Sequence, residues 1–241
     1  TEQLIESEKR AAAIEVAGAA AHELNQPLAS ISTVAGDVHM RLIEGRAVSE
    51  EQLKEMMRDI TGLVERMAGT INHLRVFSRE TGEEPGERFA LDEMVRSGLR
   101  VIGAQLHDRG IEVRTELAEG MSAVYGHPFQ MEQVLLNLLA NARDALEEKG
   151  GGEKRLWIRT RTEGVSQAVL EVEDDGVGIE AAHLERLFEP FFTTKTADQG
   201  TGLGLSISYA IVQNHGGRIA CESRRGAGAT FRVSLPIAQE G

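Results

Sequence analysis

His22-Glu23-Leu24-Asn25-Gln26-Pro27 lies inside a run of small and apolar positions, Ile14, Ala17, Ala21, Leu24, Leu28, Ile31, Ala35, Val38 and Leu42, that steps by three and four in alternation. That spacing is the seam of a helix packed in a bundle, and it predicts one long helix over about residues 4–44. The hexapeptide then sets an imidazole beside a carboxylate on the solvent-facing flank. A second seam, Leu53, Met57, Ile60, Val64, Met67, Ile71 and Leu74, follows a break at Gly45-Arg46-Ala47-Val48, and Ser49 with Gln52 has the pattern of a capping box. Residues 1–81 thus read as a helical hairpin whose start is a coiled-coil linker from an upstream region. Two narrow apolar stripes cannot close a core alone, so two hairpins are expected to meet about a twofold axis in a four-helix bundle, a homodimer. Pro27 removes an amide donor inside the first helix and is expected to bend it one turn after His22.

The 241 residues leave room for two modest domains, and a 41% hydrophobic content is ordinary for a water-soluble chain. A formal charge of -12, with no basic cluster to offset it, argues against binding nucleic acid or anionic membrane surfaces. No uninterrupted apolar stretch approaches the ~20 residues of a membrane span. The chain opens on Thr1 with no signal-like segment, so a soluble protein or the soluble end of a longer one is expected. Cys221 is the single cysteine; it falls in an alternating segment and reads as a buried free thiol in a reducing, cytoplasmic setting.

A hinge at Gly82-Glu83-Glu84-Pro85-Gly86 suits a linker over residues 82–88, and residues 89–241 form the second domain. Its pattern alternates. Helices are predicted near Asp92 to Leu106, Pro128 to Glu147 and Leu203 to Asn214. Strands are predicted at Ile111 to Leu117, Ala123 to Tyr125, Leu156 to Thr162, Ala168 to Glu173, Arg218 to Glu222 and Thr230 to Leu235. The expected architecture is an α/β sandwich with helices on one face of a mixed sheet.

Four segments of this domain carry chemistry. In Asn137-Leu138-Leu139-Ala140-Asn141-Ala142 the two asparagines lie four apart on an otherwise apolar helix, so both amides leave one face together, an arrangement that suits magnesium and phosphate oxygens. Asp174-Asp175-Gly176-Val177-Gly178, with Ile179 behind it, ends a strand in a turn that lets backbone approach a flat ligand. A carboxylate there accepts from an exocyclic amine such as that of adenine; the plain alternative is a tight turn with a solvated acid. Gly200-Thr201-Gly202-Leu203-Gly204 precedes a helix, so its amides and the helix dipole face an anion such as a polyphosphate. Between these glycine turns lie Phe188, Phe191, Phe192, Thr193, Thr194 and Lys195, a segment that reads as a lid anchored by its phenylalanines, with Lys195 meeting the phosphates.

With these motifs in this order, nearly the whole chain resembles the transmitter module of a sensor histidine kinase: a dimerisation and phosphoacceptor hairpin followed by a catalytic domain of the Bergerat (GHKL) type. The resemblance implies that His22 lies in the H box, Asn137 to Asn141 is the N box, Asp174 to Gly178 is G1, Phe188 to Phe192 is the F box and Gly200 to Gly204 is G2. It implies ATP and Mg2+ as cofactors, with Asp174 on the adenine amine, Asn141 on the metal, and the γ-phosphoryl passing to a ring nitrogen of His22. Glu23 is implied as the mild base that fixes the ring tautomer, and an aspartate of a separate response regulator as the next acceptor. An Asn-Gln-Pro ending is similar to a subgroup often fed by soluble or periplasmic sensors. The first helix is accordingly expected to continue into an upstream sensor that signals by rotation, bend or register change.

Three positions depart from the family pattern. Gln26 stands where many relatives carry the Thr or Asn that orients water for dephosphorylating the regulator; glutamine can do this with a longer, less constrained side chain. Asp144, with Arg143 adjacent, stands where many relatives have Lys or Arg, which favours Lys195 over Arg143 as the phosphate cation. His127 replaces a frequent Asp and reads as a turn residue. Gyrase, mismatch-repair and heat-shock chaperone ATPases share the nucleotide motifs, so an ATP-hydrolysing conformational switch is the main rival. Those enzymes place a water-activating glutamate where this chain has Asn137, and an amide cannot take the proton. A dimeric module that only binds nucleotide is the third reading.

Overall fold

The computed structural model describes residues 24–46, 48–78, 86–118, 120–121, 123–195 and 202–238. The expectations for Ile14, Ala17, Ala21, His22, Glu23, residues 82–85, Gly200 and Thr201 fall outside that set. The chain divides into two compact units, Thr1–Glu80 and Thr81–Gly241.

In the first unit, helix α1 runs through residues 24–43 and α2 through Glu50–Ser78. Between them Arg46 N–H donates to Arg41 O at 2.9 Å and Gly45 N–H to Leu42 O at 3.3 Å, the Schellman pattern that satisfies the last carbonyls of α1. The expected capping box then opens α2: Ser49 N–H donates to Gln52 Oε1 and Gln52 N–H to Ser49 Oγ, each at 3.2 Å. Pro27 lies within helical residues that begin, in the described set, at Leu24; the expected bend would act against residue 23, which is outside that set. Along the seams, Leu28, Leu42, Leu53, Met57 and Val64 are exposed, while Leu63, off the second seam and next to Val64, is buried.

The second unit is a sandwich. Strands β2 (Ile111–Leu117), β4 (Lys154–Glu163), β5 (Gln167–Asp174), β6 (Arg218–Ser223) and β7 (Ala229–Pro236) form one sheet in the order β2-β4-β5-β7-β6. Only β2 and β4 are parallel; the other neighbours are antiparallel. Helices α3 (Leu91–Asp108), α4 (Pro128–Glu148) and α6 (Gly204–Asn214) cover the sheet, while α5 is a single turn at Ala181–Leu184. Their apolar stripes meet the alternating strand residues: Leu135, Leu138, Leu139 and Leu146 of α4 and Leu156, Ile158, Leu170 and Val233 of the sheet are wholly buried. Each such side chain stabilises the fold by about 1.5–3 kcal/mol through removal from water.

Charge occupies the other sheet face. Arg159 pairs with Glu173 and with Glu116, its register partner on β2, Arg161 pairs with Glu171, and Arg232 with Glu163. Most of these pairs are solvent-screened, and they keep the open face polar rather than adding much stability.

The linker ends earlier than its composition suggests. Glu87–Phe89 form β1, paired antiparallel with β3 (Val124–Gly126), Glu87 opposite Gly126 and Phe89 opposite Val124. The pairing is far from local in sequence, so the acidic, glycine-containing run hid it. His127 is the N-cap position of α4, with Pro128 in the first turn. Its N–H donates to His215 Nε2 at 2.9 Å, and His215 Nδ1 lies 2.7 Å from Ile211 O. One ring nitrogen must accept and the other donate, so His215 is the neutral Nδ1–H tautomer, and burial lowers its pKa.

Candidate functional site

One face of α4 assembles the expected site residues. Ala145, Asn141 and Asn137 follow one another at four-residue spacing, a line along the helix, and the two outer members each meet a different segment, Val177 and Gly204. Val177 N–H donates to Ala145 O at 3.2 Å, which seats the Asp174–Gly178 turn on the helix. Gly176 is pressed there: a Cβ on it would stand 2.8 Å from Ala145 O and 2.7 Å from Asp174 Oδ1.

Asp174 closes β5 and is 4% exposed. Gly176 N–H donates to its Oδ1 at 2.8 Å and the backbone of Ala229 supplies a second bond. No basic side chain pairs with it among the described residues. Burial therefore dominates and pushes its pKa up to about 6 despite those two donors. The β6–β7 turn braces this end. A Cβ on Gly228 would come within 1.9 Å of Asp174 O, so no side chain fits there. Ser223 Oγ donates to Gly228 O at 2.6 Å and accepts from Ile179 N–H at 2.8 Å. Ser223 and Gly228 were not singled out in the sequence, although Gly226-Ala227-Gly228 is a visible turn signal. Cys221 lies close enough for Asp174 to act on its thiol, which burial pushes up to about 12; it stays protonated and unreactive.

Asn141 makes no side-chain hydrogen bond among the described residues. Asn137 differs: its Nδ2 donates to Gly204 O at 2.6 Å and to Ser208 Oγ at 3.2 Å. It joins α4 to the start of α6, so of the two amides expected to act together one is engaged and the other is not. The absent side chain of Gly204 makes this approach feasible, with Asn137 Oδ1 only 3.0 Å from where a Cβ would be. Leu203, expected beside a ligand, is 2% exposed, and its carbonyl accepts from Ser206 Oγ at 2.9 Å; its side chain anchors the turn instead.

The phenylalanine segment is held by two rings. Phe188 lies 5.6 Å from the Tyr209 ring, and Phe192 packs edge-on to His183 at 5.6 Å with the Arg186 guanidinium 4.7 Å above it. Phe191, expected as a third anchor, is exposed, with φ at 64°. A Cβ on Gly202 would stand 2.4 Å from the Phe191 carbonyl carbon, so the two backbones cross in contact. Thr194 is exposed. Lys195 Nζ donates to Asp144 Oδ2 at 2.5 Å, which brings the expected phosphate cation to the turn of α4 that carries Asn141. Asp174 with two backbone donors, an unengaged amide and a lysine thus lie along one helix, an arrangement that fits a purine base at one end and metal-bound phosphates at the other.

Residues 126–239 match the family of histidine kinase-, DNA gyrase B- and HSP90-like ATPases. The chain is 38% identical over 244 residues to the two-component sensor PprA of Pseudomonas aeruginosa, covering 98% of this chain and 26% of that protein. It spans about a quarter to a half of the length of the curated relatives it matches. Among solved structures, the catalytic domain of the histidine kinase ThkA superposes with a TM-score of 0.56 at 31% identity, over 64% of this chain and 97% of that one. The same kinase in complex with the response regulator protein TrrA gives a TM-score of 0.72 at 25% identity, over 98% of this chain and 66% of that one. Sequence and fold agree in placing the chain in the sensor histidine kinase family, its second unit being an ATPase module of the histidine kinase, gyrase B and HSP90 type.

Proposed function

We propose that this chain is the transmitter of a two-component sensor: the second unit binds ATP, the γ-phosphoryl passes to His22, and a response regulator of another protein takes it onward. The observation that carries the proposal is a buried carboxylate without a basic partner, Asp174 at the end of β5, in a turn seated on the helix that carries an unengaged amide, Asn141. Asp174 accepts from the adenine amine, and Gly176, Gly178 and Ile179 give the base a close backbone wall. Asn141 would hold magnesium, which neutralises charge on the phosphates. Lys195 adds a cation beside it, and the glycine run Gly200 to Gly204 supplies amides ahead of α6.

In the transfer, a neutral ring nitrogen of His22 attacks the γ-phosphorus, the bond to the bridging oxygen breaks, and ADP leaves with that electron pair. Glu23 hydrogen bonds the far ring nitrogen and stabilises the imidazolium that forms. Little further chemistry is required, since phosphoryl transfer depends on in-line positioning and charge neutralisation. Gln26, exposed on α1, is the group that orients water in any dephosphorylation of the regulator. Residues 1–81 serve as the phosphoacceptor hairpin, and the exposed seam leucines suit pairing of two hairpins in a four-helix bundle, a homodimer driven from an upstream sensor. A cytoplasmic setting supplies ATP and keeps Cys221 reduced. Against the ATPase reading stands Asn137, bonded to Gly204 O and with no proton-accepting group.

The test is incubation with magnesium and γ-labelled ATP, beside His22→Gln and Asn141→Ala, with acid-labile protein phosphate and free phosphate measured. Acid-labile label lost in both variants is the expected result. Steady phosphate release without protein label, unaffected by His22→Gln, gives the chain to the ATPase reading.

A further inference from the structure

Both cations that the sequence offers to a polyphosphate lie on one carboxylate. Asp144 Oδ1 accepts from Arg143 Nε at 2.9 Å and Nη2 at 2.7 Å, and its Oδ2 accepts from Lys195 Nζ at 2.5 Å. The three side chains are 22%, 27% and 31% exposed for Arg143, Asp144 and Lys195, partly withdrawn from screening solvent. Asp144 follows Asn141 by three residues, so it lies on the helical turn that carries the unengaged amide. Phosphates reaching Asn141 therefore arrive beside an acid that already holds Lys195.

Resting on the nucleotide reading above, we propose that Asp144 is a specificity-determining residue: an internal anion whose hold on Lys195 a polyphosphate must displace, so that it weakens binding of nucleotides in proportion to their use of that lysine. The arrangement makes exchange feasible. Arg143 is the sequence neighbour of Asp144 and binds the other oxygen, so a departing Lys195 leaves a carboxylate that still has a guanidinium partner. The two cations also hold the Asp144 carboxyl below its ordinary pKa against the opposing effect of burial, so the competitor is charged at any pH where ATP carries its full charge. Adenosine, which has no phosphate, has nothing to exchange for the lysine and is indifferent to Asp144.

Dissociation constants of Mg-ATP, Mg-ADP and adenosine for the whole chain and for Asp144→Asn, Asp144→Glu, Lys195→Ala and the Asp144→Asn/Lys195→Ala pair test this by calorimetric titration. Asp144→Asn is expected to tighten Mg-ATP about fivefold, the upper end of what a partly exposed ion pair is worth, and to leave adenosine unchanged. Asp144→Glu is expected to restore the weaker binding. In the Lys195→Ala background Asp144→Asn is expected to tighten Mg-ATP much less, since the Lys195 contact is already gone and only the Arg143 pair is released. Should Asp144→Asn fail to fold by circular dichroism, Asp144→Ser carries the same expectations. Weaker or unchanged Mg-ATP binding in Asp144→Asn overturns the proposal, as does full tightening without Lys195 or an equal shift for adenosine. If the unsubstituted chain itself binds no ATP, it is the nucleotide reading that has failed.

Discussion

The two ends of the proposed nucleotide site each carry an aspartate, and the two behave in opposite ways. Asp174 is buried, has only backbone donors, and is pushed up to about 6. Asp144 is partly buried between Arg143 and Lys195 and is held below its ordinary value. Burial raises both, and only at Asp144 do charged partners reverse the sign. A base end built this way stays rigid and recognises by hydrogen bonding, while a phosphate end built of side-chain ion pairs can trade one anion for another.

The hardest test of this contrast removes the groups themselves. Asp174→Ala or Asn141→Ala is expected to weaken ATP binding by about 100-fold or more, since each leaves a site built for polar recognition without its partner. Calorimetric titration would show it, and near-normal binding in Asp174→Ala would dissolve the distinction between the ends. Acid sharpens the same comparison. ATP affinity is expected to fall as pH drops below about 6, because Asp174 takes up its proton and keeps only a weaker, neutral acceptor oxygen. Asp144 adds nothing in that range, because its pKa is shifted the other way. An affinity flat between pH 5 and pH 7 in matched buffers would contradict it.

Stability follows with reversed sense. The folded-state pKa of Asp174 lies above its unfolded value, so the unpaired charge destabilises the fold at pH 7 and the penalty disappears as pH falls through about 6 toward the unfolded pKa. Asp174→Asn should then raise stability at neutral pH by roughly 2–3 kcal/mol in urea unfolding, even as nucleotide binding is lost. His215 works against this below its unfolded pKa: its folded pKa is lowered, so acid charges the unfolded chain first and stability drops. His215→Ala is expected to lose about 1–3 kcal/mol by orphaning the His127 amide. At the small end, Ser223→Ala leaves Ile179 N–H without its acceptor and should lower stability by about 1 kcal/mol, with a modest rise in the nucleotide dissociation constant.

Much of the architecture could be read from local pattern. The capping box at Ser49 and Gln52, the α4 stripe, and the strands around Asp174 all rest on periodicity or on residues a few positions apart, and they are where the pattern put them. The turn at Asp174 was readable because its glycines must admit a neighbouring backbone. Contacts made across long sequence separations were not. β1 owes its existence to β3, Asn137 to Gly204, and the Lys195–Asp144 pair to a loop folding back over α4. A residue's spacing shows which face it is on, not which oppositely charged or hydrogen-bonding group the fold will bring to that face. Phe191 illustrates the limit: an aromatic ring in an apolar triplet ought to be an anchor, yet the backbone crossing at Gly202 turns it outward.

The register of β5 against β7 has a consequence for how such a domain can vary. Asp174 stands directly opposite Ala229, and Ser223 of β6 faces the same Ala229 from the other side, so the excursion through residues 175–217, with its turns, its phenylalanine segment and α6, leaves the sheet at the end of β5 and rejoins it in β6. The ladder closes that excursion as a loop. Closure entropy grows only with the logarithm of loop length, and doubling the excursion costs about 0.6 kcal/mol. Insertions and deletions between the glycine turns can therefore accumulate with little effect on the core, while the β5-β7-β6 ladder that pins both ends tolerates no shift in register.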